Sequence, residues 1–288
     1  MYIDDAGLIW DAALNQTVAA ANNNKFYRVQ LLVDSTGQNF SAWTRWGRVG
    51  EIGQSALLGD NSLETAKREF EKKFKSKSGL AWEKRVDPPK KGKYTFIERN
   101  YEEDSDDEDE EAGGDKKKEK RPPVQSTLTA PVQDLMSFIF NKNHFLSVMA
   151  SMSYDALKLP LGKLSKRTLR NGFQILKDLS ELVADPALAQ QKYDTSSATA
   201  MADLSDQYFT TIPHVFGRNR PPVLNADAQI KKEIELLEAL TEMEVANTIM
   251  ESKREDDIHE LDRQFQSLGM EEMTACRFGP NLSILDLY

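Results

Sequence analysis

Alternation and helical spacing divide the chain into two patterned regions separated by a charged stretch. Phe26 to Asp34 and Phe40 to Val49 read as strands, and the turn cluster Ser35-Thr36-Gly37-Gln38-Asn39 between them predicts a hairpin. Gly53 to Leu58 predicts a third strand and Tyr94 to Tyr101 a closing one. Asn61-Ser62-Leu63-Glu64 places a capping residue three positions before a glutamate, a capping-box pattern. Leu63, Ala66, Phe70 and Phe74 then recur at three- and four-residue spacing up to Gly79, a natural stop, so an amphipathic helix should lie on the sheet. From Leu128 onward the pattern is helical. Val132, Leu135, Met136, Ile139 and Phe140 form one stripe, Phe145, Val148, Met149 and Met152 a second, and Leu169, Phe173, Leu176, Leu179 and Val183 a third that halts at Asp185-Pro186. The clearest helix runs from about Ala226 to Lys253, with Ile230, Ile234, Leu237, Leu240, Met243, Ile249 and Met250 on its apolar side, Asn225 as cap and Pro221-Pro222 in the loop before it. The expected fold is an α+β domain, an antiparallel sheet with one packed helix, followed by an all-α bundle.

Charge changes this picture more than composition does. Residues 1–101 carry 16 Lys and Arg against 12 Asp and Glu, a net of +4, whereas residues 102–121 carry a net of −6 and residues 122–288 a net of −7. The basic first part suits electrostatic steering toward phosphate although the whole chain is at −9. The acidic run Glu102 to Glu111, Gly113-Gly114 and the basic run Lys116 to Arg121 contain almost nothing to bury and are expected to be a disordered linker over 102–124. Its basic half could be a nuclear-import patch, its acidic half a solubilising spacer. No apolar run approaches the ~20 residues of a membrane span. The acidic start Met1-Tyr2-Ile3-Asp4-Asp5 argues against a secretory signal. One cysteine, Cys276, excludes an internal disulfide, and three dispersed histidines argue against a zinc site, so a reducing intracellular compartment fits best.

The chemistry centres on Trp46-Gly47-Arg48. Strand alternation puts the indole of Trp46 and the guanidinium of Arg48 on one face, and Gly47 between them adds no bulk to the other. An aromatic platform beside a fixed cation suits a nucleic-acid terminus, the ring taking a base or sugar and the arginine a phosphate. Taken alone, the pair reads first as a core tryptophan next to a solvated arginine, and it is the surrounding sequence that turns the reading toward nucleic acid. The basic outer residues of the helix, Lys67, Lys72, Lys73, Lys75 and Lys77, read as a solvated face.

In family order, the chain resembles the regulatory half of a small DNA-dependent poly(ADP-ribose) polymerase, of the type lacking zinc fingers. Residues 1–101 resemble its WGR domain in Leu14-Asn15-Gln16-Thr17, Asn22-Asn23-Asn24-Lys25-Phe26-Tyr27, Arg45-Trp46-Gly47-Arg48-Val49-Gly50 with Gly53-Gln54, and Gly92-Lys93-Tyr94. Residues 125–253 resemble its helical regulatory domain in Pro160-Leu161-Gly162-Lys163-Leu164-Ser165, Tyr208-Phe209-Thr210-Thr211-Ile212-Pro213-His214 with Phe216-Gly217, Pro221-Pro222-Val223-Leu224, and Leu236-Leu237-Glu238-Ala239-Leu240 with Glu244-Val245-Ala246. The resemblance implies that the first domain binds a DNA break with a 5′ phosphate. Trp46 would pack on the terminal nucleotide, and Arg48 would hold phosphate and relay contact to the helical domain. Asn24, Lys25 and Tyr94, beside Gly47, would add further contacts. Tyr94 reads equally as a core or edge tyrosine, and Asn24 as a turn residue. In the family the helical domain covers the NAD site of a neighbouring transferase domain and loosens when DNA binds. The resemblance thus implies a nuclear role in DNA repair and a monomer when free. His214, which no nucleophile or acid accompanies, reads as a loop histidine satisfying nearby backbone.

His259 to Leu268 resembles the beginning of the catalytic domain, and after Met273-Thr274 the resemblance stops. Residues 254–288 are therefore expected to be a remnant of that domain with a divergent tail. The family's His, Tyr and Glu triad has no counterpart, so this chain should bind no cofactor and should not use NAD productively. Two accounts of the tail stand, a shifted gene end or a short form that binds breaks without modifying them, the first being preferred. Alternatives are an active ADP-ribosyltransferase represented by a truncated sequence, or a helical module acting on a partner transferase in trans.

Overall fold

The computed structural model describes residues 1–99, 101, 125–140, 154, 164–251, 258–269, 274–278 and 282–286. The first region forms β1 (Asp11–Val18), β2 (Asn23–Val33), β3 (Phe40–Arg48), β4 (Gln54–Asn61), helix α1 (Leu63–Ser78) and β5 (Thr95–Ile97). These strands make one antiparallel sheet in the order β4-β3-β2-β1-β5. The predicted hairpin is β2 and β3, in unbroken register from Val33↔Phe40 to Lys25↔Arg48. Its turn is organised by the Asp34 carboxylate, which accepts from the Thr36 hydroxyl, the Gln38 N–H and the Asn39 amide. The closing strand is only three residues long, shorter than expected. β1 escaped the sequence reading, yet it lies between β2 and β5.

Helix α1 forms where its spacing predicts but is capped one residue later than the capping-box reading had it. Ser62 is the N-cap and its hydroxyl accepts from Thr65 N at 3.2 Å, while Asn61 takes a left-handed φ of 72° to end β4. Asp60 takes the part expected of Glu64, accepting from the N–H and hydroxyl of Ser62. Gly79 closes the helix at φ 75°, its N–H bonded to Lys75 O. Ala66, Phe70 and Phe74 bury themselves against Leu14, Tyr27, Val29, Leu31 and Ala42 of the sheet. Trp82, in the turn after α1, is met edge-on by Phe70 at 4.8 Å and Phe74 at 5.0 Å between ring centroids. Each buried phenylalanine contributes about 1.5–3 kcal/mol, so this face is a core in its own right.

The second region comprises α2 (Ala130–Ile139), α3 (Lys166–Ala184), α4 (Leu188–Tyr193), α5 (Ser197–Thr211), α6 (Asp227–Glu251) and α7 (Glu260–Ser267), then a hairpin of β6 (Thr274–Phe278) and β7 (Leu282–Asp286). Its main core joins Leu169, Leu176, Leu179 and Leu182 of α3 to Tyr208 and Phe209 of α5 and to Ile230, Leu237 and Leu240 of α6. Leu182 is buried where the stripe named Val183, which is half-buried. Val132, Met136 and Phe140 pack on Phe265 as a separate small cluster, and Ile139 faces outward. The second stripe (Phe145 to Met152), Pro160 to Lys163, the linker 102–124 and the end of the last long helix lie outside the described residues.

The two regions share apolar contact. Ile97 of β5 belongs to the helical core, and Ala13 of β1 packs against it. The outer face of β1 is therefore a domain interface, which explains why its polar residues do not alternate as on a solvated strand.

Candidate nucleic-acid interface

Helix α1 covers the sheet only as far as Gly79, and beyond its end the same face continues uncovered. There Trp46 stands directly opposite Tyr27 in the β2–β3 register, with ring centroids 6.1 Å apart and planes 20° from parallel. Tyr94 meets Tyr27 edge-on at 6.4 Å. Burial raises the hydroxyl pKa of both tyrosines above the ordinary value, so the wall stays uncharged at neutral pH. With Lys25, Gly47, Arg48 and Lys77 these rings line an open depression of about 310 Å³. None of its lining residues is acidic. Three cations around a partly exposed aromatic wall can hold phosphate and stack a base or sugar.

Gly47 is required by packing on the reverse side of the sheet. A Cβ there would lie 2.8 Å from the Cα of Gly53 and 3.2 Å from the Phe26 ring. Gly53, at φ 73°, returns the chain under β3 so closely that its own Cβ would sit 2.4 Å from Trp46 O. The pair of glycines lets the strand cross there and leaves Trp46 and Arg48 together on the other face.

Five residues singled out from sequence, Trp46, Gly47, Arg48, Lys25 and Tyr94, come together in this depression. Asn24 does not. It is 0% exposed, its amide donates to His214 O at 2.8 Å, and its Oδ1 accepts from the Thr17 hydroxyl at 3.1 Å. The reason is alternation: one residue before Lys25, its side chain points to the opposite face of the sheet, where the helical region sits. In this structure Asn24 is a docking residue, buried between the sheet and the helical region.

Two members of the depression were missed. Lys77 was grouped with the solvated lysines, but its Nζ lies 4.8 Å from the centroid of Tyr27 and 6.0 Å from that of Tyr94. It follows Phe74 by three positions and Phe70 by seven, so it continues the apolar stripe, unlike Lys72 or Lys75. Tyr27 could have been found by counting back from the hairpin turn to the partner of Trp46.

Arg48 faces two ways. It lines the depression, yet its guanidinium donates to Asn22 O at 2.8 Å, to Asn219 O at 2.8 Å and to Gly217 O. Gly217 and Asn219 belong to the segment between α5 and α6, so this cation joins the depression to the helical region. Beside it, Gly50 at φ 94° leaves room for Val215, whose methyl would stand 2.7 Å from a Cβ there. His214 in the same segment is buried, its Nδ1 2.7 Å from Ile212 O and its Nε2 3.0 Å from Glu233 Oε2, which also accepts from the Tyr208 hydroxyl. It satisfies backbone as read from sequence, but an acid does accompany it, since folding brings Glu233 of α6 to its ring and ties the loop to that helix. Among the described residues no group of three His, Cys, Asp or Glu is placed to hold a metal, and no helix is long and apolar enough to cross a membrane.

Comparison with known proteins assigns both regions. Residues 10–89 match the WGR domain, and residues 126–265 match the regulatory domain of poly(ADP-ribose) polymerase. Human protein mono-ADP-ribosyltransferase PARP3 is 36% identical over 97% of this chain and 52% of its own length. Human poly [ADP-ribose] polymerase 2 is 35% identical over 90% of this chain and 43% of its own, and its Arabidopsis thaliana namesake is 35% identical over 84% and 37%. The chain spans about half the length of the curated relatives it matches, or less.

Proposed function

The chain belongs to the poly(ADP-ribose) polymerase family, whose WGR and regulatory domains it carries, and we propose that the first domain binds a broken DNA end while the docked helical domain responds to it. One observation carries this reading. Beyond the end of α1 the sheet opens to solvent at a stacked Trp46–Tyr27 wall ringed by Lys25, Lys77 and Arg48. A duplex interior offers no free base face, whereas an end does, so a stacking wall beside cations favours ends. A 5′ phosphate would compete for the Arg48 guanidinium with the carbonyls of Gly217 and Asn219, which supplies a route from DNA to the helical domain.

In this reading the protein acts in the nucleus in the response to DNA damage. The reaction under control is ADP-ribosyl transfer from NAD, carried out by a transferase domain beyond the two matched here, with NAD as that domain's substrate and no cofactor in these two. Fluorescence anisotropy tests the binding step. A duplex end with a 5′ phosphate should bind at sub-micromolar concentration, more tightly than a closed circle, and more weakly as salt rises. Trp46→Ala should remove one stacked base or sugar, about 1–3 kcal/mol, roughly a 5- to 150-fold loss. Equal affinity for ends and closed circles would overturn the reading.

A further inference from the structure

The helical region meets the Arg48 rim of the Trp46 depression through the turn between α5 and α6, and that turn is basic. Residues 122–288 carry a net of −7, yet from Gln207 to Ala226 there is no Asp or Glu, and Arg218 and Arg220 stand within this stretch. Asp206, the last acid before it, accepts from Ala19 N at 2.7 Å. The sheet's own turns beside Arg48, residues 19–24 and 49–53, hold one charged residue between them, Glu51.

Three successive carbonyls of the turn are spent on the first domain. Gly217 O and Asn219 O accept from the Arg48 guanidinium, and Arg218 O accepts from Asn22 Nδ2 at 3.3 Å. Asn219 N closes the turn onto Phe216 O at 3.0 Å. Beyond it Pro221 is buried, which holds Arg220 to extended backbone, and Leu224 N donates to the Ser205 hydroxyl at 2.9 Å. With its carbonyls turned to the sheet, the segment gives its side chains to solvent. Arg218, Asn219 and Arg220 are exposed, and apart from its chain neighbours nothing lies within 4 Å of where a Cβ would stand on Gly217. Among the described residues neither arginine makes an ion pair or a side-chain hydrogen bond.

A duplex whose end enters the depression brings more phosphates than Arg48 can hold, one about every 3.4 Å of axis on each strand. Arg48 is bonded to the residues on either side of Arg218, and the Cα of Arg220 lies about 3.8 Å from that of Asn219. Two exposed guanidinium groups thus hang from the same few ångströms of backbone as the Arg48 contact. Guanidinium groups match phosphate oxygens bidentately.

We propose that the turn 217–220 of the helical domain is itself part of the DNA interface, Arg218 and Arg220 each taking a backbone phosphate next to the one on Arg48. The proposal rests on the reading of the first domain as a binder of DNA ends. It gives the helical domain a direct contact with DNA, beside the relay through Arg48. When a 5′ phosphate draws Arg48 away from Gly217 and Asn219, the two new phosphate contacts offset the loss and keep the freed turn at the DNA. Contacts of this kind fix position and add affinity without reading sequence.

The test titrates the whole chain, wild type and the double variant Arg218→Gln/Arg220→Gln, against a 5′-phosphorylated duplex end and a closed circle across a salt series. With two fewer phosphates neutralised, the slope of log affinity for the end against log salt should be shallower by about 2. The advantage of wild type should then shrink roughly tenfold between about 50 and 200 mM salt. Arg170→Gln/Lys177→Gln removes the same two charges from exposed positions of α3 and should leave the slope as it is. Because both arginines are exposed, hydrogen exchange over residues 212–219 of the free double variant should match wild type. A double variant with the wild-type slope, a control that flattens it equally, or quickened exchange over 212–219 overturns the proposal while the preference for ends stands. Wild-type chain that binds ends and closed circles alike overturns the reading beneath it.

Discussion

The two faces of the sheet are closed by opposite kinds of chemistry. On one, α1 seals Leu14, Tyr27, Val29 and Ala42 under Ala66, Phe70 and Phe74. On the other, α5 and the segment after it meet β1 and β2 largely through directed polar bonds. Asn15 Nδ2 donates to Phe209 O and Thr210 O, each at 3.0 Å, Thr17 N donates to the Thr210 hydroxyl at 2.9 Å, and Asn24 Nδ2 donates to His214 O. Apolar burial is lost only when a whole surface parts, whereas each hydrogen bond nets about 0.5–1.5 kcal/mol and can be exchanged for water singly. The first face is a permanent core and the second a dock that can open in steps. Arg48 stands at the rim between them.

Substitutions on the two faces should break this contrast in different ways. Phe74→Ala should cost about 3–5 kcal/mol and melt the first domain, read as a lowered denaturation midpoint. Asn24→Ala should cost about 1–3 kcal/mol by leaving His214 O unpaired. Its effect should be local: hydrogen exchange should quicken over residues 212–219 but not in α1, and affinity for DNA ends should hold. Equal quickening in α1 would show that the faces are one cooperative unit, and a loss of affinity as large as that of Trp46→Ala would return Asn24 to the DNA contacts. Lys77→Ala should leave stability within about 1 kcal/mol and lower the slope of log affinity against log salt by about 1.

The smallest effect is in pH. The Ser62 hydroxyl holds the Asp60 carboxyl below its ordinary 3.8, so its stabilisation of the start of α1 is present above that value and lost as pH falls through the lowered one. Burial against the sheet holds Asp206 of α5 above 3.8, outweighing the N–H of Ala19 that bonds it. Its cost to the folded state is present at neutral pH and relieved as pH falls through the raised value. Mild acid should first steady the dock and, below about pH 4, fray α1. Amide exchange across a pH series would show that order, and the reverse order would contradict it.

Legibility from the sequence followed the same divide. Helix α1, the β2–β3 hairpin and the shared face of Trp46 and Arg48 were readable because one side is apolar and the other wet, which is what periodicity detects. β1 was not, because Asp11, Asn15 and Thr17 are polar residues buried against protein, and hydropathy cannot separate a polar residue facing water from one facing carbonyls. Asn24 failed for that reason too. Lys77 was missed because a lysine on an apolar stripe was read by its charge and not by its position.

The sequence by itself determined the two-part architecture, the α1-covered core and the Trp46-Gly47-Arg48 constellation, since each depends on local spacing and steric needs that residue order specifies. Only the tertiary structure decided where Asn24 points and that Arg48 spends its donors on Gly217 and Asn219. Each of those rests on contacts between residues far apart in the chain, where a hydrogen-bond partner is chosen by the packing of whole domains and leaves no periodic trace.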